Sequence, residues 1–177
     1  MKLLSFIRLG KTGFGAVVDN GIIDLTGKID PDVNTIKELI SLNMEDQAEE
    51  YIEGKTKDLS FSDISFLPVI PDPEKIMCIG LNYLEHKKET GRPDVDNPTI
   101  FTRFADSQVA HLQPMIKPDN SDRFDYEAEM AIIIGKGGRF ISEDEALNHI
   151  AGYACYNDGS IRNYQRHTSQ FTPGKTF

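Results

Sequence analysis

Along residues 2–26 the apolar positions come in short runs separated by polar or glycine breaks: KLLSFIRL, then FGAVVD, then GIIDLT. Runs of this length predict a three-stranded β-meander, and Asp19-Asn20-Gly21 supplies a hairpin turn that tolerates positive φ. From Asn34 the period lengthens. Ile36, Leu39 and Ile40 fall at i, i+3, i+4, which predicts a helix with Asn34 or Thr35 as its N-cap. A second, more polar helix is expected over residues 45–53, stopped by Gly54. Pro68, Pro71 and Pro73 then mark a joint, dividing the chain into a small N-terminal domain of residues 1–70 and a second domain of residues 71–177.

Past the joint, Lys75–Leu81 reads as a buried strand, Tyr83–Thr90 as a short helix closed by Gly91, and Thr99–Phe104 as another strand. Phe124–Gly135 alternates strictly. It places Asp125, Glu127, Glu129, Ala131 and Ile133 on one face and Tyr126, Ala128, Met130, Ile132 and Ile134 on the other. Ser142 and Glu145 have the spacing of a capping box, for a helix carrying Ala146, Leu147 and Ile150, and AGYACYND reads as a strand ending at Asn157-Asp158. The pattern is that of a β-rich α+β protein.

Composition narrows the function classes. With 28 acidic residues against 19 Lys and Arg the net charge is -9, and no basic cluster offsets it, so a nucleic-acid partner is disfavoured. The apolar stretch between Lys2 and Arg8 is too short for a signal-peptide core or a membrane span, which predicts a cytosolic protein with no membrane partner. Cys78 and Cys155 lie in apolar, strand-like stretches without CxxC spacing and are expected to be buried thiols.

Candidate chemistry concentrates at the acidic end of the alternating strand. Residues two apart on a strand project from the same face, so Glu127 and Glu129 are placed to share a hard cation such as Mg²⁺. An E-x-E pair alone equally describes an acidic edge strand. Asp158, closing GYACYN, is the natural third acid, though in Asn-Asp-Gly it also suits a plain turn. His86 and Glu89, three apart, share a helix face and form a candidate base and orienter, or else part of a charged helix surface with Lys87 and Lys88. The G-K-G-G of residues 135–138 lacks the Ser or Thr of a phosphate loop and reads as a turn out of the strand.

Three blocks in order, GLNYLEHKKETG, FDYEAEMAIIIGKGGRFIS and NDGSIRNYQRH…QFTPGKTF, resemble the fumarylacetoacetate hydrolase superfamily, from about Lys75 onward. The resemblance implies a mixed β-roll behind the small N-terminal domain, a homodimer, and a catalytic domain that in family members continues past Thr176-Phe177. It implies Glu127, Glu129 and Asp158 as ligands of Mg²⁺ or Mn²⁺, and Gln165 and Lys175, with Arg162 beside them, as contacts to the carboxylate and keto oxygens of a small 2-oxo acid substrate. It implies that His86, oriented by Glu89, stands where small family members carry a catalytic His-x-x-Glu dyad. The expected function is metal-dependent hydrolysis of a carbon–carbon bond in a 2,4-diketo acid or acylpyruvate. A 2-oxo acid decarboxylase and a hydroxymuconate-type isomerase are the alternatives within enzymes, and a non-catalytic fragment or metal-binding subunit is the alternative outside them.

Overall fold

The computed structural model describes residues 1–85, 88 and 96–177. They form two compact units: Met1–Pro71 with Val109–Pro114 and Ala128–Tyr156, and Asp72–Gln108 with Met115–Glu127 and Asn157–Phe177.

The first unit is built on a four-stranded sheet with the order β3-β2-β1-β4, from β1 (Leu3–Arg8), β2 (Lys11–Val18), β3 (Gly21–Asp24) and β4 (Ser65–Phe66). β1 and β2 are antiparallel from Leu3↔Ala16 to Arg8↔Lys11, joined by Leu9 and Gly10, both at positive φ. That is the two-residue geometry whose twist matches its strands. The next hairpin pairs Val18 with Gly21 across Asp19, also at positive φ, as the Asp-Asn-Gly motif predicts.

Alternation sends side chains to two apolar clusters. Phe14, Ala16, Ile23 and Leu25 pack with Val33, Ile36, Leu39 and Ala48 from the helical segment, whereas Leu4, Phe6 and Ile22 pack with Leu59. Helix α1 (Ile36–Ser41) starts at Thr35, whose hydroxyl accepts the Glu38 N–H at 3.1 Å, and α2 (Glu45–Ile52) ends before Gly54 at positive φ. The meander and both helices therefore stand where the periodicity puts them.

Also in this unit, β8 (Ala128–Ile134) pairs with β9 (Ile150–Asn157) as a two-stranded ribbon. The apolar face of this alternating strand is not covered: Met130, Ile132 and Ile134 are 62%, 49% and 64% exposed, because the ribbon leaves one face open. One expectation is corrected here. The segment after Ser142 is a 3-10 helix, Glu143–His149, in which the Ser142 side chain makes no cap bond, and Leu147 is exposed. Glu145 instead accepts a hydrogen bond from Asn148.

In the second unit β5 (Ile76–Gly80) and β6 (Thr99–Arg103) pair antiparallel, from Ile76↔Arg103 to Gly80↔Thr99. β5 is not the buried strand expected. Met77 and Ile79 lie with Ile100 on an exposed face, and the opposite face carries Cys78, Phe101 and Arg103. Cys155 on β9 is exposed and Cys78 only half-buried, correcting the expectation of two buried thiols, since each sits on a two-stranded ribbon. The predicted helix after Tyr83 lies largely outside the described residues.

The short strands β7 (Phe124–Asp125) and β10 (Ser160–Ile161) form a third ribbon, Ser160 opposite Asp125, followed by a short helix α3 (Arg162–Gln165) and a 3-10 turn over Thr172–Gly174. The predicted strand 124–135 is thus interrupted at Tyr126-Glu127, and β7 and β8 pair with different partners. The burial alternation survives the break: Asp125, Glu127, Glu129, Ala131 and Ile133 are all less exposed than the residues between them. No helix among the described residues is long and apolar enough to cross a membrane.

Candidate active site

The β7–β10 pairing decides which acids meet. Past Ser160↔Asp125, the Asp158 N–H donates to the Glu127 carbonyl at 2.9 Å and the Glu127 N–H to Asn157 Oδ1 at 3.0 Å. Glu127 and Asp158, far apart in the chain, are held backbone to backbone. Their carboxylates converge on one cation: Lys175 Nζ lies 3.0 Å from Glu127 Oε1 and 2.5 Å from Asp158 Oδ2.

Lys175 is 1% exposed. It reaches this position from the end of the Thr172–Gly174 turn, where Gly174 presses so closely on α3 that a Cβ there would overlap the backbone of Gln165. The Phe101 ring lies 4.9 Å from its ammonium and is met edge-on by Phe171.

Around this pair the charges close into a network. Arg162 at the start of α3 grips Asp125 with Nε and Nη2 at 2.8 and 2.7 Å, and its Nη1 lies 2.8 Å from Glu127 Oε1 and 3.0 Å from Gln165 Oε1. Ser160 donates to Glu127 Oε1 at 2.6 Å. From β6, Arg103 donates to the other Asp158 oxygen, Oδ1, and to the Gly159 carbonyl at 3.0 Å. Burial by itself pushes the Glu127 carboxyl up; the Ser160 hydroxyl, the Lys175 ammonium and Arg162 together reverse this and hold it below its ordinary range. With these donors around it, the half-buried Glu127 carboxylate is favoured in its ionised form.

Of the residues singled out in the sequence, Glu127, Asp158, Arg162, Gln165 and Lys175 come together. Glu129 stands half-buried on β8, in the first unit, and among the described residues no group of three or more His, Cys, Asp or Glu is set to hold a metal. His86 and Glu89 lie outside the described residues. Lys175 and Arg162, expected to meet substrate, are here engaged with carboxylates. Two hard oxygen donors converging on one positive charge suit a divalent cation in charge and donor type.

Sequence reading passed over Arg103, Ser160 and the pairing of Asp125 with Arg162. The available signal for Arg103 was its position two residues after Phe101, on that residue's face of the strand.

The family model described as "Fumarylacetoacetate (FAA) hydrolase C-terminal" matches residues 75–177. The chain belongs to the fumarylacetoacetate hydrolase family. Among its relatives is the mitochondrial oxaloacetate tautomerase fahd2 of Xenopus laevis, 44% identical over 121 residues, a match covering 67% of this chain and 38% of that protein. The fold resembles that of the fumarylacetoacetate hydrolase of the psychrophile Exiguobacterium antarcticum, with a TM-score of 0.73 and 27% identity, over 100% of this chain and 62% of that one. It likewise resembles the maleylpyruvate hydrolase of Sphingobium sp. SYK-6, in complex with manganese(II) and pyruvate, with a TM-score of 0.75 and 22% identity, over 99% of this chain and 64% of that one. The chain spans well under two thirds of the length of the Xenopus relative. The β-rich α+β class and the superfamily resemblance expected from the sequence both hold.

Proposed function

We propose that this protein is an enzyme acting on a small 2-oxo acid with the help of a divalent metal, Mg²⁺ or Mn²⁺. The observation that carries this reading is the convergence of Glu127 and Asp158 on a single cation, with Arg162, Gln165 and Lys175 around them. Glu127 and Asp158 would hold the metal, and the sequence proposes Glu129 as a third ligand. A metal bound there would act as a Lewis acid towards the carbonyl of the substrate.

The chain's own residues supply the rest. Lys175 and Arg162 bring two positive charges to the place where a carboxylate and a keto oxygen are to be bound, and each can exchange a carboxylate partner for a substrate oxygen. The Gln165 amide, oriented through its Oε1 by Arg162, has N–H donors of its own to present to the substrate. Phe101 and Phe171 give the Lys175 side an apolar wall, where charge interactions are stronger than in water. His86, oriented by Glu89, is proposed to take a proton from the water that attacks the distal carbonyl in hydrolysis.

Two reactions fit. Carbon–carbon bond hydrolysis of an acylpyruvate or 2,4-diketo acid follows from the sequence blocks and is supported by the maleylpyruvate hydrolase with the same fold. Tautomerisation of a 2-oxo diacid needs the same charge stabilisation without water, and the name of the Xenopus relative favours it. A homodimer is proposed as well, supported by the exposed apolar faces of β5–β6 and of β8–β9. Cytosolic placement is proposed from the sequence; the mitochondrial name of the relative is the reason to check it by fractionation.

Assaying the full chain with Mg²⁺ or Mn²⁺ on acylpyruvates and on oxaloacetate separates the readings. Pyruvate released from an acylpyruvate supports hydrolysis, and accelerated keto–enol exchange of oxaloacetate supports tautomerisation. Activity unaffected by chelator sinks the metal reading. His86→Ala should lower turnover by roughly 10²- to 10⁴-fold with metal affinity nearly intact. Equal losses of both would make His86 structural.

A further inference from the structure

We infer that Arg103 is the positioning residue of the metal site, aiming Asp158 at the cation through the carboxylate oxygen that does not face it. This rests on the proposed metal-binding role of Glu127 and Asp158 and adds a residue that neither the sequence blocks nor the family resemblance singles out.

The geometry is specific. The two oxygens of Asp158 have different partners: Oδ2 faces the cation position between the acids, filled here by Lys175 Nζ, and Oδ1 is taken by Arg103 Nη1. The same Nη1 also donates to the Gly159 carbonyl at 3.0 Å, so the guanidinium grips the side chain of Asp158 and the backbone immediately after it. Two contacts of this kind fix both the position of the loop and the rotation of the carboxylate. The Arg103 and Asp158 side chains are 4% and 5% exposed, so water does not compete for either. β6 holds Arg103 in register, opposite Ile76, and puts it on the same strand face as Phe101, which lies against Lys175. One strand thus backs both cationic partners of Asp158.

Lys175 and Arg103 have different tasks in this arrangement. Lys175 occupies the point where the carboxylates converge and can be replaced there by another cation. Arg103 contacts the far oxygen, and nothing in its geometry conflicts with a cation at Oδ2. It therefore keeps Asp158 aimed whichever cation is bound. Groups that orient a metal's ligands in this way typically contribute 10- to 100-fold in metal affinity.

The test is a Mn²⁺ titration of the full chain by calorimetry, with the electron paramagnetic resonance spectrum of bound Mn²⁺ as a second readout and a melting curve for each variant. Arg103→Met should weaken Mn²⁺ binding by about 10- to 100-fold and broaden or alter the spectrum. Arg103→Lys, which retains a charge able to reach Oδ1, should recover most of the affinity. If Arg103→Met does not fold, Arg103→Gln carries the test with the same loss expected, because it keeps a donor and lacks the charge. Wild-type affinity in a folded Arg103→Met or Arg103→Gln protein overturns the inference, as does equal loss in Arg103→Lys and the neutral variants. A wild-type protein that binds no Mn²⁺, or whose binding survives Glu127→Gln with Asp158→Asn, instead overturns the metal-site reading and this inference with it.

Discussion

Around Phe14 and Leu39 the first unit buries carbon, whereas around Asp158 the second unit buries charge. In the first, eight apolar side chains from Phe14 to Ala48 form one buried cluster and four more form another. In the second, the most buried side chains include Lys175, Asp158, Arg103 and Ser160, with Ile161 and Phe101 among them. An apolar core gains from area removed from water, roughly 1.5 to 3 kcal/mol for each large side chain. An ionic interior gains little net free energy, since desolvation offsets the attraction, but it is costly to leave half-made. The first kind of interior makes a stable scaffold; the second makes a place where a charged ligand can exchange with an internal partner. That difference locates the site as clearly as any single residue does.

The largest effects should come from the two interiors, by different routes. In buffer containing chelator, Lys175→Met leaves two carboxylates facing each other and should cost about 3 to 5 kcal/mol in a urea titration. Phe14→Ala should cost a similar 3 to 5 kcal/mol by opening a cavity. The companions separate them: adding Glu127→Gln should recover part of the Lys175→Met loss, and Phe14→Leu should largely spare the first unit. A cost below about 1 kcal/mol for Lys175→Met would break the comparison, because the second interior would then not depend on charge balance.

A smaller effect belongs to the first unit alone. Thr35→Ala removes the hydroxyl that caps α1 and should cost about 1 kcal/mol, with Thr35→Ser close to wild type. No loss on Thr35→Ala would mean that packing of Ile36 and Leu39 holds the helix without its cap.

The smallest effect is a slope. Because Glu127 is held below its ordinary range in the fold, it binds a proton less readily folded than unfolded. Its contribution is present above the unfolded carboxyl pKa and is lost as pH falls through the lower, folded value. Stability of wild type should therefore fall more steeply into acid than that of Glu127→Gln. Parallel curves for the two proteins would show that the donors from Ser160, Lys175 and Arg162 do not favour the ionised form.

Much of the fold was legible from residues near each other in the chain. The Asp19-Asn20 turn, the Thr35 cap and the stop at Gly54 are decided by backbone preferences and by bonds spanning a few positions, so local pattern suffices for them. Family blocks carried Glu127, Asp158, Arg162, Gln165 and Lys175 in the same way, and the structure draws these five into one network. Strand burial was less legible. β5 and β8 are apolar enough to read as core, but hydrophobic character does not say which face of a ribbon is covered, and here Met77, Ile79, Ile132 and Ile134 are not.

The sequence by itself determined the meander and its helices, the family and the acids worth watching, because periodicity, turn chemistry and motif order are properties of neighbours in the chain. Only the tertiary structure decided that Lys175 stands between Glu127 and Asp158 and that Arg103, 55 residues before Asp158, holds its other oxygen. The physical reason is that ion pairing in an interior depends on which strands meet and in what register. The two-residue pairing of β7 with β10 sets that register, and no local pattern announces it.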